Sequence, residues 1–166
     1  HKGVKIFPLI EGPNELKFLQ YSKYDVGIRL DMPIKASSYW NKPIDRFGFS
    51  AKDILNMGSF KNLKILHYHI GSQIEKLSDV LGPVKYALDV YFKLKEKNPS
   101  LDTIDIGGGM PIPYTRNKSY PIDKLMERMF KLIKSESEKR GLPHPNLICE
   151  WGRYIVAPAQ ITVFKI

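Results

Sequence analysis

A chain of 166 residues with 43% hydrophobic side chains is sized for about one domain and carries enough apolar material for a core, which excludes a disordered tail. No apolar run reaches the roughly 18 residues that cross a bilayer, and no signal segment opens the chain, so no membrane partner is expected. The net charge of +9 raises nucleic acid as a partner, while the single Cys149 has no internal disulfide to form and fits a cytoplasmic location.

In chain order, Val4 to Ile10 is the first candidate strand, followed by a short helix from Pro13, a residue suited to the first helical position. Val26 to Leu30 is the second strand, with Arg29 inside it. After a Pro/Ser/Tyr/Asn-rich loop at 31–46, a helix starts at Ser50, where Ser50 and Asp53 have capping-box spacing. Ile65 to Ile70 is a third strand holding His67 and His69 two apart, a spacing that puts both imidazoles on one face. Val80, Val84, Leu88, Tyr91 and Leu94 give 79–97 a helical period, as Ile122, Leu125, Met129, Leu132 and Ile133 do for 121–140. Between these helices lie a strand at Thr103 to Ile106 and a second polar loop at 110–121. Leu147 to Cys149 is a fifth strand, and "YIVAPAQITVFKI" at 154–166 reads as one more. The lysines on the helices, such as Lys85, Lys93, Lys97, Lys131 and Lys134, have the spacing of a solvated face with no basic stripe among aromatics, so no nucleic-acid partner is expected.

Strand and helix alternate, which makes the chain α/β with a parallel sheet, either open and doubly wound or closed as a barrel. Both architectures bind ligands at the carboxyl ends of their strands. Three motifs fall there: "HIGS" at 69–72, "DIGGG" at 105–109 and "EWGR" at 150–153. Five βα-type strands are fewer than the eight of a barrel, so a piece of a larger enzyme domain is expected.

Gly107, Gly108 and Gly109 either let backbone amides approach a phosphate or make a tight turn packing against a neighbouring helix. Ser72 adds a hydroxyl, and Gly152 and Arg153 add an amide and a guanidinium, so one anion gripped by several loops is the reading of the three together. His67 reads as a hydrogen-bonded core residue. His69, last before the turn, offers a flat ring to a flat cofactor. Metal binding is not expected, because no third ligand of suitable spacing accompanies the His-x-His pair. Glu150 needs a partner if buried, and Arg29 is the expected one.

In this order and spacing, "HYHIGSQ", "DIGGGMP" and "EWGRYIVA" resemble the barrel motifs of the fold-type III pyridoxal-phosphate decarboxylases, the ornithine, diaminopimelate and biosynthetic arginine decarboxylase group; "IEGPNELKFL", "VGIRLD" and "DRFGFSAKDIL" also fit. The phrase "GLPHPNLICEWGRYIVAPAQITVFKI" is most like the arginine enzymes. The resemblance implies a partial TIM (β/α)8 barrel of the alanine racemase-like type. Residues 1–154 would be the C-terminal part of the cofactor-binding barrel, and 155–166 a strand leading to a β-domain. It implies pyridoxal 5'-phosphate as cofactor, with His69 stacked on its ring, Glu150 on its nitrogen with Arg29 behind, and Ser72, Gly107, Gly108, Gly109, Gly152 and Arg153 around its phosphate. His69 and Glu150 would be the catalytic residues. The implied activity is decarboxylation of a basic amino acid, foremost arginine to agmatine in polyamine biosynthesis, with diaminopimelate or ornithine as alternative substrates. A homo-oligomer is implied, with the Schiff-base lysine and catalytic cysteine outside this segment, which alone would be inactive. A racemase of the same fold, or a cofactor-binding relative without turnover, are the other readings; a glutamate at position 150 favours decarboxylation over racemisation.

Overall fold

In the computed structural model, which describes residues 3–34, 36, 47–114, 119–159 and 163–165, every strand lies beside the strand that precedes it in the chain. β1 (Leu9–Ile10), β2 (Val26–Arg29), β3 (Leu63–His67), β4 (Thr103–Asp105) and β5 (Asn146–Ile148) form one parallel sheet in that order. A doubly wound sheet reverses its strand order at a switch point. The unreversed order here is that of a barrel wall, with α1 (Pro13–Leu19), α2 (Ala51–Asn56), α3 (Leu77–Lys97) and α4 (Ile122–Arg140) as its crossovers.

The register divides the wall into two faces. Ile10, Ile28, Leu66, Ile104 and Leu147 stand in one row across the five strands, and the first four are at most 2% exposed. Helices cover this face. Val80, Val84, Leu88, Tyr91 and Leu94 of α3 are all buried, as are Leu125, Met129 and Ile133 of α4. Each fully buried Leu or Ile contributes roughly 1.5–3 kcal/mol, so this row and its helices supply the core. Arg140 of α4 fastens the two helices together, meeting Glu136 on its own helix and Asp89 on α3. The opposite face carries a second row, Arg29, His67, Asp105 and Ile148, one residue from each of β2 to β5. Such a row is polar where it nears the strand ends. It leads directly to the three motifs.

Ser50 caps α2 as its spacing predicts, its Oγ accepting the Asp53 N–H at 3.1 Å. β1 to β4 are shorter than the apolar runs that mark them, β1 most of all, with Val4 and Ile6 64% and 59% exposed and outside the sheet. β3 ends at His67, so that His69, expected inside that strand, lies just beyond it, and β5 keeps its three residues one position earlier. A correction is needed beyond β5. Where the apolar, β-branched run from Tyr154 predicts a strand, residues Gly152–Val156 form a short helix, α5, followed by a 3-10 turn at Ala157–Ala159. Strand preference rewards packing against neighbours. Ile155 and Val156 are 73% and 60% exposed, and Ile155 instead bonds locally, its N–H reaching the Trp151 carbonyl. Most of the loop predicted at 31–46, residues 115–118 of the loop at 110–121, and residues 160–162 and 166 of the run at 154–166 lie outside the described residues.

Candidate functional site

The backbone ladder does not stop with the strands. Tyr68 N–H donates to the Asp105 carbonyl, Ile106 N–H to that of Ile148, and Glu150 N–H to that of Gly107, each at 3.0 Å. The residues of "HIGS", "DIGGG" and "EWGR" are therefore stacked edge to edge on one rim. Side chains add to this. Gly108 N–H donates to His69 Nδ1 at 3.2 Å, which fixes the imidazole plane and leaves the ring proton on Nε2. Gln73, held in the left-handed region at φ 56°, both donates to the Ile112 carbonyl at 3.1 Å and accepts the Ile112 N–H at 3.0 Å.

The glycines make this stacking possible. A Cβ on Gly107 would stand 2.4 Å from the Tyr68 carbonyl oxygen, and one on Gly109 2.9 Å from Ile74 and 3.0 Å from the Gly71 carbonyl; both have positive φ. Close approach of one rim loop to the next is thus their first role. Two of the three amides are also committed inside the protein, Gly107 N–H to Asp105 Oδ1 at 2.9 Å and Gly108 N–H to His69. Gly109 N–H carries no hydrogen bond among the described residues. Nearby, Ser72 is half-buried and paired, and Gly152 opens α5. Arg153 is exposed and donates to the Tyr114 hydroxyl at 3.2 Å.

Glu150 is at the rim with its side chain 52% exposed, and its ion-pair contact is His67, Nε2 to Oε2 at 3.6 Å. Arg29 is not its partner. The Arg29 guanidinium bonds Glu11 Oε1 at 2.6 Å and lies 5.2 Å from the centre of the Phe47 ring. The reason is sheet order: Glu11 directly follows β1, the neighbour of β2, whereas Glu150 follows β5, three strands away.

Two groups that sequence patterning left aside join Glu150. His67, Asp105 and Glu150 offer ligand atoms within 4.8 Å of one another. Burial pushes the His67 imidazole down to about 4, more than the Glu150 carboxylate raises it, so the imidazole facing Glu150 is neutral. Burial pushes Asp105 up to about 6, helped by repulsion from Glu150 and opposed by the Gly107 amide. The signal for Asp105 was available: like Arg29, it is a charged residue inside an apolar strand. His67 was visible but indistinguishable from an ordinary core histidine. A groove of about 650 Å³ lies at the other end of the strands, lined by Leu16, Tyr21, Met57, Phe60 and Asn62 among others, and contains no carboxylate or imidazole.

The family model of the pyridoxal-dependent decarboxylases, pyridoxal binding domain, matches residues 5–157. The chain belongs to this family. Biosynthetic arginine decarboxylases of Bacteroides thetaiotaomicron and Pseudomonas putida are 28% and 31% identical to it, each over 99% of the chain and 30% and 28% of the relative. The chain therefore spans about 30% of the length of the curated relatives it matches. In shape it is similar to the biosynthetic arginine decarboxylase of Campylobacter jejuni, with a TM-score of 0.75 at 21% identity, over 92% of this chain and 27% of that one. It is also similar to a lysine/ornithine decarboxylase of Vibrio vulnificus solved with putrescine, with a TM-score of 0.66 at 26% identity, over 91% and 39%. As a pyridoxal-binding domain of this family, the chain has its cofactor named, and the rim fits that cofactor by its donor set: a ring fixed by Gly108, a carboxylate with Oε1 unbonded among the described residues, the Gly109 amide and a guanidinium. No helix is long and apolar enough to cross a membrane among the described residues.

Proposed function

We propose that the full-length protein is a pyridoxal-phosphate-dependent decarboxylase of a basic amino acid, with arginine as substrate and agmatine as product, ahead of diaminopimelate and ornithine. The order of substrates follows the arginine decarboxylases that match 27–31% over 99% of this chain. The observation that carries the chemistry is the pair of bonds joining the rim, Gly108 N–H to His69 and Glu150 N–H to Gly107, which tie the His69 ring and the backbone of Glu150 to one glycine loop.

When bound, the cofactor supplies an electron sink for the pair left at the α-carbon as carbon dioxide departs. His69 would offer the face of its fixed ring to the cofactor ring. Glu150 Oε1 would accept the pyridine N–H and so hold the proton at that nitrogen. Gly109 and Gly152 would donate amides to the phosphate, Ser72 would add its hydroxyl, and Arg153, steadied by Tyr114, would add charge. Gly107 and Gly108 act one step back, shaping the loop whose amides they occupy. Residues 1–154 belong to the barrel and 155–166 lead toward a second domain, in an oligomeric cytoplasmic enzyme of polyamine biosynthesis.

The test is an absorbance spectrum of the full-length protein with pyridoxal phosphate, then carbon dioxide release from arginine, diaminopimelate and ornithine. Release from arginine, with Glu150→Ala lowering kcat by about 100-fold or more, is the expected result. A protein that takes up no cofactor, or a Glu150→Ala variant as fast as the parent, would defeat it.

A further inference from the structure

Glu150 is half-exposed, on a flexible stem, and the assigned role requires it to hold one orientation. The guanidinium expected to hold it is engaged by Glu11. What does face it is His67, its side chain only 5% exposed, from the end of a strand two places away in the sheet.

We propose that His67 is the positioning residue for Glu150: its Nε2–H donates to Oε2 and so turns Oε1 toward the cofactor nitrogen. This rests on the reading of Glu150 given under Proposed function. The tautomer follows from the surroundings. His67 Nδ1 is buried and has no hydrogen-bond partner among the described residues. A proton there would be an unpaired buried donor, costlier than an unpaired lone pair, and would leave the Nε2 lone pair facing a carboxylate. With the proton on Nε2 both problems vanish. At 3.6 Å the contact is just outside hydrogen-bond range, and a movement of roughly 0.5 Å by the exposed Glu150 side chain closes it. Catalytic hydrogen bonds commonly tighten in this way on ligation. Asp105 works in the same direction. Its carboxylate, tied to the glycine loop through Gly107 N–H and within 4.8 Å of the same cluster, repels Glu150 and leaves the imidazole as the favourable contact.

The test uses the full-length protein, with and without pyridoxal phosphate. Long-range proton–nitrogen NMR on isotope-labelled histidine should find His67 protonated at Nε2 alone at neutral pH, a measurement that needs neither a variant nor the cofactor. With nitrogen-labelled cofactor bound, His67→Leu should shift the pyridine nitrogen resonance toward its unprotonated form and lower kcat about 10-fold with KM within about 2-fold. His67→Gln, which keeps a donor near the Nε2 position, should restore both to within about 3-fold. A wild-type Nδ1–H tautomer overturns the inference even if His67→Leu does not fold. So does a folded His67→Leu enzyme with unchanged kcat and resonance. Failure of the wild type to take up cofactor at all would instead sink the reading beneath it.

Discussion

Arg29 bonds Glu11 at 2.6 Å, not Glu150. The pair is partly shielded, with the two side chains 14% and 32% exposed, so it should be measurable. A double-mutant cycle of Arg29→Met and Glu11→Gln in urea unfolding of the full-length protein should give a coupling of about 1–2 kcal/mol, while Arg29→Met with Glu150→Gln should give less than about 0.5 kcal/mol. Equal couplings would mean that Arg29 serves both carboxylates.

His67 and Asp105 should oppose each other in acid. The folded His67 imidazole, down at about 4, holds its proton less tightly than the unfolded one at 6.5; its stabilising contribution is present above 6.5 and is lost as pH falls toward 4. Asp105, raised from 3.8 to about 6, acts in the reverse sense, stabilising below 3.8 and losing that contribution as pH rises through 6. Wild-type stability should therefore be nearly flat between these limits. Asp105→Asn should unmask the histidine and lose on the order of 2 kcal/mol across the same range as pH is lowered. Parallel pH profiles for the two proteins would count against the shared cluster.

Glycine substitutions should separate sharply by position. Gly107→Ala meets a carbonyl oxygen at 2.4 Å with φ +64°, and is expected to cost about 2–4 kcal/mol. Gly82, inside α3 with open space around it, should instead gain about 0.5–1 kcal/mol on Gly82→Ala. Thermal midpoints of the two variants moving in the same direction would refute this account of the rim.

Gln73 combines a strained backbone with a useful side chain, and the two can be measured apart. Gln73→Ala removes both bonds to Ile112 and should cost about 1–2 kcal/mol; Gln73→Gly removes them too but relaxes φ 56°, and should be about 1 kcal/mol more stable than the alanine variant. If the order of alanine and glycine reversed, the left-handed conformation would not be strained.

How much of this could be read from the letters alone depended on whether the information was local. The periods of α3 and α4 and the Ser50 cap are set within a few residues, and the structure reproduces them. The unreversed strand order left the barrel as the right choice between two architectures. The partner of Arg29 depended on that same order: β2 and β5 are separated by two strands, roughly 14 Å along a sheet at 4.8 Å per strand. No propensity reveals such a distance. His67 cannot be told from a core histidine until Asp105 and Glu150 stand around it, and the Tyr154–Val156 run turns into helix because its strand character depends on a neighbour it does not have among the described residues.

The alternating rows of the wall have an evolutionary consequence. Along each strand, one set of positions packs beneath the helices, and the intervening set, from Arg29 through His67 to Asp105, stands on the opposite face of the wall and leads to the rim. Because the two sets point in opposite directions, drift can alter the second while the first stays constant, so the lining of the rim can change without the scaffold being rebuilt.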